Sequence, residues 1–361
     1  MRYPILDINT NIIRSNAIIV RKLCLLHGIE PVAVIKGFNG LDEINRVIVE
    51  AGFTALASSR LAHLKQVKER GYPVKTLALR IPMLSELAEL VEYADISLGS
   101  EIDTFARLND EARRQHKVHR VILMRDLGDL REGIIDSQQF IDIACEIEGR
   151  FSNLYLYGVG TNLGCYGSII PSTKNMSQLV DDALTLEKAI GRTLDVISGG
   201  GGNSIPLLLD AGLPDRINNL RIGSALLLRS EIPGLPQDAL LELSDETLIL
   251  RAEIIEIGNK PTYPIGDMGT NCFGSRPRFK NKGVRRRALL AVGAFDYCDC
   301  KKLIPCDKNV KVLGCSSDHT IIDIQDSNCD YQLGDSIAFH LLYQSMLFAT
   351  ANPHIHKRVV F

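Results

Sequence analysis

Three observations predict a parallel (β/α)8 TIM barrel followed by a mainly antiparallel β domain. Between residues 30 and 225, eight short apolar runs alternate with segments of helical period. Past Ile232 the runs lengthen and lose their intervening helices, and glycine-bearing turns follow the first and seventh of the early runs. Parallel neighbours need a crossover helix, so eight strand–helix units are what closing such a barrel requires. An open doubly wound sheet would show the same alternation, because pattern alone does not reveal closure.

The early runs are Val32 to Ile35, Ala55 to Ser58, Lys75 to Leu79, Asp95 to Leu98, Val121 to Met124, Tyr155 to Val159, Leu194 to Ile197 and Leu220 to Ile222. Between the first two, Ile44, Val47, Ile48 and Ala51 recur on one helical face before Gly52 stops it. Leu61, Leu64 and Val67 lead to Gly71 in the same way, and Leu179, Ala183, Leu186 and Ile190 end at Gly191. Pro233, Gly234 and Pro236 punctuate a linker, which divides the chain into a barrel over 1–230 and a β domain over 231–361, with the first ~10 residues able to pair with the latter. The later strands are expected over Leu248 to Ile257, Ala288 to Val292, Val310 to Leu313, Thr320 to Ile324 and Ser336 to Leu342.

With 361 residues, 45% of them hydrophobic, and a net charge of -2, the chain is long enough for both domains and has no basic field for nucleic acid. No apolar run reaches the length of a membrane span, and Met1 to Asn11 is too polar and short for a signal peptide, so a cytoplasmic enzyme is expected. The nine cysteines are odd in number and mostly isolated, which reads as reduced thiols. Cys298, Cys300 and Cys306 lack the paired spacing of a zinc site, and no metal is expected.

The chemistry collects at the ends of the early runs, where barrel enzymes carry their functional groups. Lys36 ends the first run and is followed by Gly37 and Gly40. A lysine there marks the border with solvent, or, if partly desolvated, supplies an amine of lowered pKa able to act as nucleophile or base. After the seventh run comes Ser198 with Gly199 to Gly202, then Asn203 and Ser204 before a helical segment opened by Pro206. Taken alone this is a flexible turn or a cradle for a single phosphate; it lacks the lysine of a nucleoside-triphosphate loop and the spacing of a dinucleotide fingerprint. The eighth run ends in Arg221, Gly223 and Ser224, a second set of donors. A lysine after the first strand with a phosphate cradle after the last two is the layout required for pyridoxal 5′-phosphate.

These segments resemble the alanine racemase family of barrel-type pyridoxal phosphate enzymes, and within it the ornithine racemase branch. The matching stretches are AVIKG around Lys36, GDLREG from Gly128 to Gly133, GVGTNLGCYGSIIP from Gly158 to Pro171, INNLRIGSALLL from Ile217 to Leu228, PIGDMG from Pro264 to Gly269 and CSSDH from Cys315 to His319. The resemblance implies a homodimeric amino-acid racemase, and the branch implies a basic substrate such as ornithine or lysine. It implies that Lys36 holds the cofactor as a Schiff base and serves as one acid/base. Arg131 corresponds to an arginine near the cofactor's phenolic oxygen and the substrate, and Asn162 to a residue beside the ring. Asn203, Ser204, Gly223 and Ser224 correspond to the phosphate cradle, Tyr343 in the last strand to a phosphate-binding tyrosine, and Asp318 to a residue lent to the partner's substrate pocket. Arg221 corresponds to the arginine facing the pyridine nitrogen, where it leaves that nitrogen unprotonated and favours simple proton return.

Two departures from the family pattern stand out. Gly40 occupies the place of a family tyrosine. The second, opposite-face acid/base, a tyrosine in the alanine enzymes, is replaced by Asp267, with Cys272 and Tyr263 as further candidates. Asp129, Glu132, Asp267 and Asp318 are the carboxylates available for a substrate's distal ammonium. The competing functions are a non-catalytic pyridoxal phosphate carrier, which would not need the β domain, and a basic amino-acid decarboxylase, against which Arg221 argues.

Overall fold

The computed structural model describes residues 2–361, which form two compact units: residues 13–243, and residues 2–12 together with 244–361. The division falls after Leu243, beyond the Pro233–Pro236 linker where the change of texture begins. The first strand, β1 (Ile5–Asn9), belongs to the second unit, and α1 (Thr10–Leu26) leads into the first.

Eight strands close the first unit into a parallel barrel: β2 (Glu30–Val34), β3 (Ala55–Ser58), β4 (Lys75–Ala78), β5 (Ile96–Gly99), β6 (His119–Met124), β7 (Leu154–Gly160), β8 (Val196–Gly201) and β9 (Asn219–Ile222). Closure is direct, since Val32 of β2 pairs in register with Arg221 of β9. The crossovers are α2 (Asp42–Glu50), α3 (Leu61–Glu69), α4 (Leu87–Tyr93), α5 (Ile102–Arg114), α6 (Ser137–Arg150), α7 (Thr173–Ile190) and α8 (Ile205–Asp210). In α2 the spacing of Ile44, Val47 and Ile48 buries one face, while Asp42 and Glu43 in the first turn complement the helix dipole. Alternate strand residues, among them Val32, Val34, Ala55, Ala57, Ile122 and Met124, pack into one buried cluster. Burying each large member of it contributes about 1.5–3 kcal/mol.

Two local departures from expectation bear on the site. The first strand stops at Val34, and Ile35–Phe38 is a 3-10 turn, so Lys36 stands in a turn and not at the strand's last position. The seventh barrel strand, by contrast, runs on through Gly201 and takes in glycines expected in a loop. These residues serve close packing: a Cβ on Gly199 would lie 2.9 Å from Ile217 Cγ2, and Gly200 has φ +97°, which only glycine adopts without strain.

In the second unit β10 (Leu248–Pro261) pairs antiparallel with β1, β11 (Val284–Leu290) and β15 (Ser336–Leu341). The sheet continues from β11 through β14 (Thr320–Asp323) to β13 (Lys311–Cys315), and β12 (Leu303–Pro305) flanks β15. A strand not foreseen, β16 (His356–Val360), lies parallel to β1. Asp7 fastens β1 on both sides, accepting from Arg251 Nε at 2.7 Å and Arg358 Nε at 2.6 Å. The unit also holds two short helices, α9 (Ala294–Tyr297) and α10 (Tyr343–Ala351). Tyr343, expected in the last strand, therefore opens a helix: the strand ends at Leu341, Leu342 is the extended residue that precedes the helix, and Ser345, Met346, Ala349 and Thr350 then recur on one buried face.

Candidate active site

The 3-10 turn after β2 leaves Lys36 half-buried at the C-terminal ends of the barrel strands. Burial first, and then the nearby charge of Arg131, hold its amine below the ordinary lysine value, with Glu132 and Cys165 acting in the opposite sense and Arg60 in the same sense as Arg131. That is the condition under which a lysine amine becomes nucleophilic.

Arg131 and Glu132 form a two-pronged ion pair, Nη2 donating to Oε1 at 2.5 Å and Nε to Oε2. Asn162 Nδ2 donates to the same Oε1 at 3.2 Å and lies 3.6 Å from Cys165 Sγ. The loop that carries Arg131 is closed from beneath by Arg125, a buried cation immediately after β6. Its guanidinium donates to the carbonyls of Asp126, Ile134 and Ile135, to Ser137 Oγ and to Asp182 Oδ2 at 2.7 Å.

Arg221 is buried within the barrel and spans three strands' ends. Nη1 donates to Ser198 Oγ at 2.5 Å, Nη2 to the Thr161 carbonyl at 2.6 Å, and Ser198 in turn donates to Asn219 Oδ1 at 2.6 Å. Burial pushes the Arg221 guanidinium down to about 10, which leaves it charged at neutral pH.

The glycine segment after β8 turns into a 3-10 turn, Gly202–Ser204, and the segment after β9 into another, Ser224–Leu226. The leading N–H groups of each, those of Gly202 and Asn203 and of Ser224 and Ala225, precede the first intraturn hydrogen bond. Gly223 precedes the second turn, its backbone against Val34. The Asn203 side chain is committed elsewhere: Nδ2 donates to the carbonyls of Leu163 and Gly164 at 3.1 and 3.3 Å. Ser204 Oγ donates to the Gly199 carbonyl at 2.7 Å, so the cradle offers mainly main-chain donors.

The structure thus brings Lys36, Arg131, Asn162, Asn203, Ser204, Arg221, Gly223 and Ser224 into one barrel. The remaining expected residues belong to the other unit. Asp267, Cys272 and Tyr263 are exposed on the segment between β10 and β11, Asp318 is exposed in the turn between β13 and β14 with Ser317 Oγ donating to it at 2.5 Å, and Tyr343 begins α10. Ser198, Thr161, Arg125 and Cys165 were not singled out as site residues from sequence. A charged residue directly after an apolar run, as Arg125 is, was the available signal for one of them.

The residues fit pyridoxal 5′-phosphate: a desolvated amine, a charged buried guanidinium and two groups of main-chain donors are present. Thr161 Oγ1 is in addition buried with no hydrogen-bond partner in the protein. Among the described residues no group of three or more His, Cys, Asp or Glu side chains is placed to hold a metal, and no helix is long and apolar enough to cross a membrane.

Comparison with known proteins identifies relatives of the whole chain. The family described as alanine racemase, N-terminal domain, matches residues 8–230. The chain is 38% identical over 358 residues to ornithine racemase of Acetoanaerobium sticklandii, covering 99% of this chain and 100% of that protein. It is 36% identical over 357 residues to lysine racemase of Thermotoga maritima, covering 99% and 98%. Among solved structures, alanine racemase from a D-cycloserine-producing Streptomyces lavendulae superposes with a TM-score of 0.78 at 15% identity, covering 100% of this chain and 98% of that one, a likeness of fold.

Proposed function

Since this chain belongs to the alanine racemase family, we propose that it interconverts the L and D forms of a basic amino acid, ornithine or lysine. The observation that carries the reading is Lys36, a desolvated amine held beside Arg131 at the end of a barrel whose cradle suits a phosphate. Enzymes of this family use pyridoxal 5′-phosphate, which when bound supplies an aldehyde for the lysine amine and an electron-withdrawing ring that acidifies the substrate α-carbon.

In the L-to-D or D-to-L direction one of two groups removes the α-proton from its face and the other delivers a proton to the opposite face, and Lys36 is the group on one face. Asp267, contributed by a second copy of the chain in a homodimer, is the group on the other face, delivering a proton when Lys36 removes one and removing one when Lys36 delivers. Arg131 orients the substrate, with Glu132 holding its guanidinium in place. Arg221 stays charged and donates hydrogen bonds without surrendering a proton, which keeps the reaction to proton removal and return.

Two of the four carboxylates named for the substrate's distal ammonium are already occupied. Asp129 accepts main-chain N–H groups from Gly164, Cys165, Tyr166 and Ile169, and Glu132 is bound by Arg131 and Asn162. With Asp267 engaged at the α-carbon, we assign the ammonium to Asp318. A cytoplasmic site of action belongs to the same proposal.

Polarimetry of the purified protein with pyridoxal 5′-phosphate and L-ornithine, L-lysine and L-alanine in turn tests the proposal. Decaying rotation with the first two and little with alanine is expected. Constant rotation with all three overturns it, and release of carbon dioxide would favour the decarboxylase reading.

A further inference from the structure

The turn that carries Lys36 is clamped from outside the strand by one imidazole. Asn39 closes the turn in the left-handed region at φ 54°, its N–H donating to the Lys36 carbonyl at 3.2 Å. The Asn39 side chain in turn meets His63 of α3, with Nε2 3.2 Å from Asn39 Oδ1. On the other edge of the ring, Nδ1 is 2.9 Å from Ser58 Oγ at the end of β3, and Ser58 Oγ accepts the Arg60 N–H at 3.1 Å. An amide oxygen only accepts, so Nε2 carries the proton and Nδ1 receives the Ser58 hydroxyl. The chain of donors runs from Arg60 through Ser58 and His63 to Asn39, and it ends three residues from Lys36.

Gly40 makes room for this arrangement. A Cβ there would sit 2.9 Å from His63 Cγ, and Gly40 itself has φ +63°. Its carbonyl accepts from the buried Asn45 Nδ2 at 2.9 Å, which fixes the far side of the turn. The imidazole thus fills the space a side chain at position 40 would take. Burial, and then the Arg60 charge, hold His63 below the ordinary histidine value, so the neutral ring that this pattern requires is the favoured one.

We propose that His63 is a positioning residue for Lys36, its hydrogen bonds to Asn39 and Ser58 fixing the backbone from which the Lys36 amine is presented. The inference rests on Lys36 being the lysine that binds pyridoxal 5′-phosphate. A misplaced reacting group loses rate steeply with small displacements.

The test uses the full-length apoprotein and the rate at which it captures pyridoxal 5′-phosphate, followed by the absorbance of the lysine-bound form. His63→Phe fills the same space without hydrogen bonds and should slow capture about tenfold, the order expected from losing one such bond. His63→Gln retains a donor and an acceptor and should restore capture to within about twofold. Asn39→Gly tolerates the left-handed turn, removes the acceptor and should slow capture as His63→Phe does, which keeps the test usable if the phenylalanine variant fails to fold. Nitrogen-15 spectra of the imidazole should show the Nε2–H form at neutral pH. Wild-type capture rates in both His63→Phe and Asn39→Gly, or an Nδ1–H ring, would overturn the proposal. If the wild-type protein itself captures no cofactor while the Nε2–H form is seen, the functional reading of Lys36 fails and the clamp stands only as a structural contact.

Discussion

Asp129 Oδ1 accepts the main-chain N–H of Gly164 at 2.9 Å, joining two loops that lie 35 residues apart. Its other contacts extend the same tie: Tyr166 N–H to Oδ2 at 2.9 Å, and those of Cys165 and Ile169 at 3.3 Å. The segment so held contains Cys165 and follows Asn162, both beside Glu132 and Arg131. A carboxylate is the one side chain that can accept so many donors at once without offering a competing one.

Burial alone would raise the Asp129 carboxyl, but the hydrogen bonds from Tyr166, Ile169, Cys165 and Gly164 outweigh it, and the group lies below its ordinary value. A carboxyl depressed on folding contributes stability that is present above its unfolded pKa and lost as pH falls through the folded one. Asp129→Asn turns an N–H against those donors and should cost about 1–3 kcal/mol near neutrality. The gap in melting temperature from wild type should close below about pH 4. A gap independent of pH would show that the charge is not what holds the loop.

Lys36 lies below 10.5 because of burial and, secondarily, Arg131. Only the unprotonated amine attacks an aldehyde, so cofactor capture by the apoprotein should rise with pH and level off below that value. Arg131→Gln removes the second cause and frees Glu132, both of which raise the lysine. The inflection should move upward in that variant, without reaching 10.5, since burial remains. An unmoved inflection would separate Arg131 from Lys36.

Arg221 keeps its proton and is anchored by Ser198 and the Thr161 carbonyl. Arg221→Glu would place a carboxylate where a cation stood and favour a protonated ring nitrogen, a stronger electron sink. Side reaction to the 2-oxo acid should then become detectable by chromatography during racemisation, in protein whose circular dichroism is unchanged. Racemisation free of 2-oxo acid in that variant would mean that Arg221 does not control the outcome.

Asp267→Asn should retain the cofactor's absorbance, because the residue belongs to neither the lysine nor the cradle. In deuterated buffer it should slow exchange of the α-proton from one enantiomer of ornithine about a hundredfold or more, in the range of a lost general base, and affect the other far less. Equal loss from both enantiomers would exclude a face-specific role and turn attention to Tyr263 and Cys272.

What the amino-acid sequence determined by itself is short-range. Hydrophobic period marks the barrel strands and their helices because each element must bury one face whatever its neighbours are, and Lys36, Arg221 and the glycine segment are legible because they sit at fixed offsets from those runs. Tertiary structure decided which groups meet. Asp129 reaches Gly164, Arg125 reaches Asp182 and His63 reaches Asn39 only once parallel strands have brought distant loops to one end of a closed barrel. It also decided that the glycines of β8 pack against Ile217, that Asn203 spends its side chain on two carbonyls, and that Tyr343 opens a helix. The physical reason is the same throughout: periodicity is written in each residue's own hydrophobicity, whereas a hydrogen bond depends on where a partner far along the chain is placed, and only closure of the barrel sets that placement.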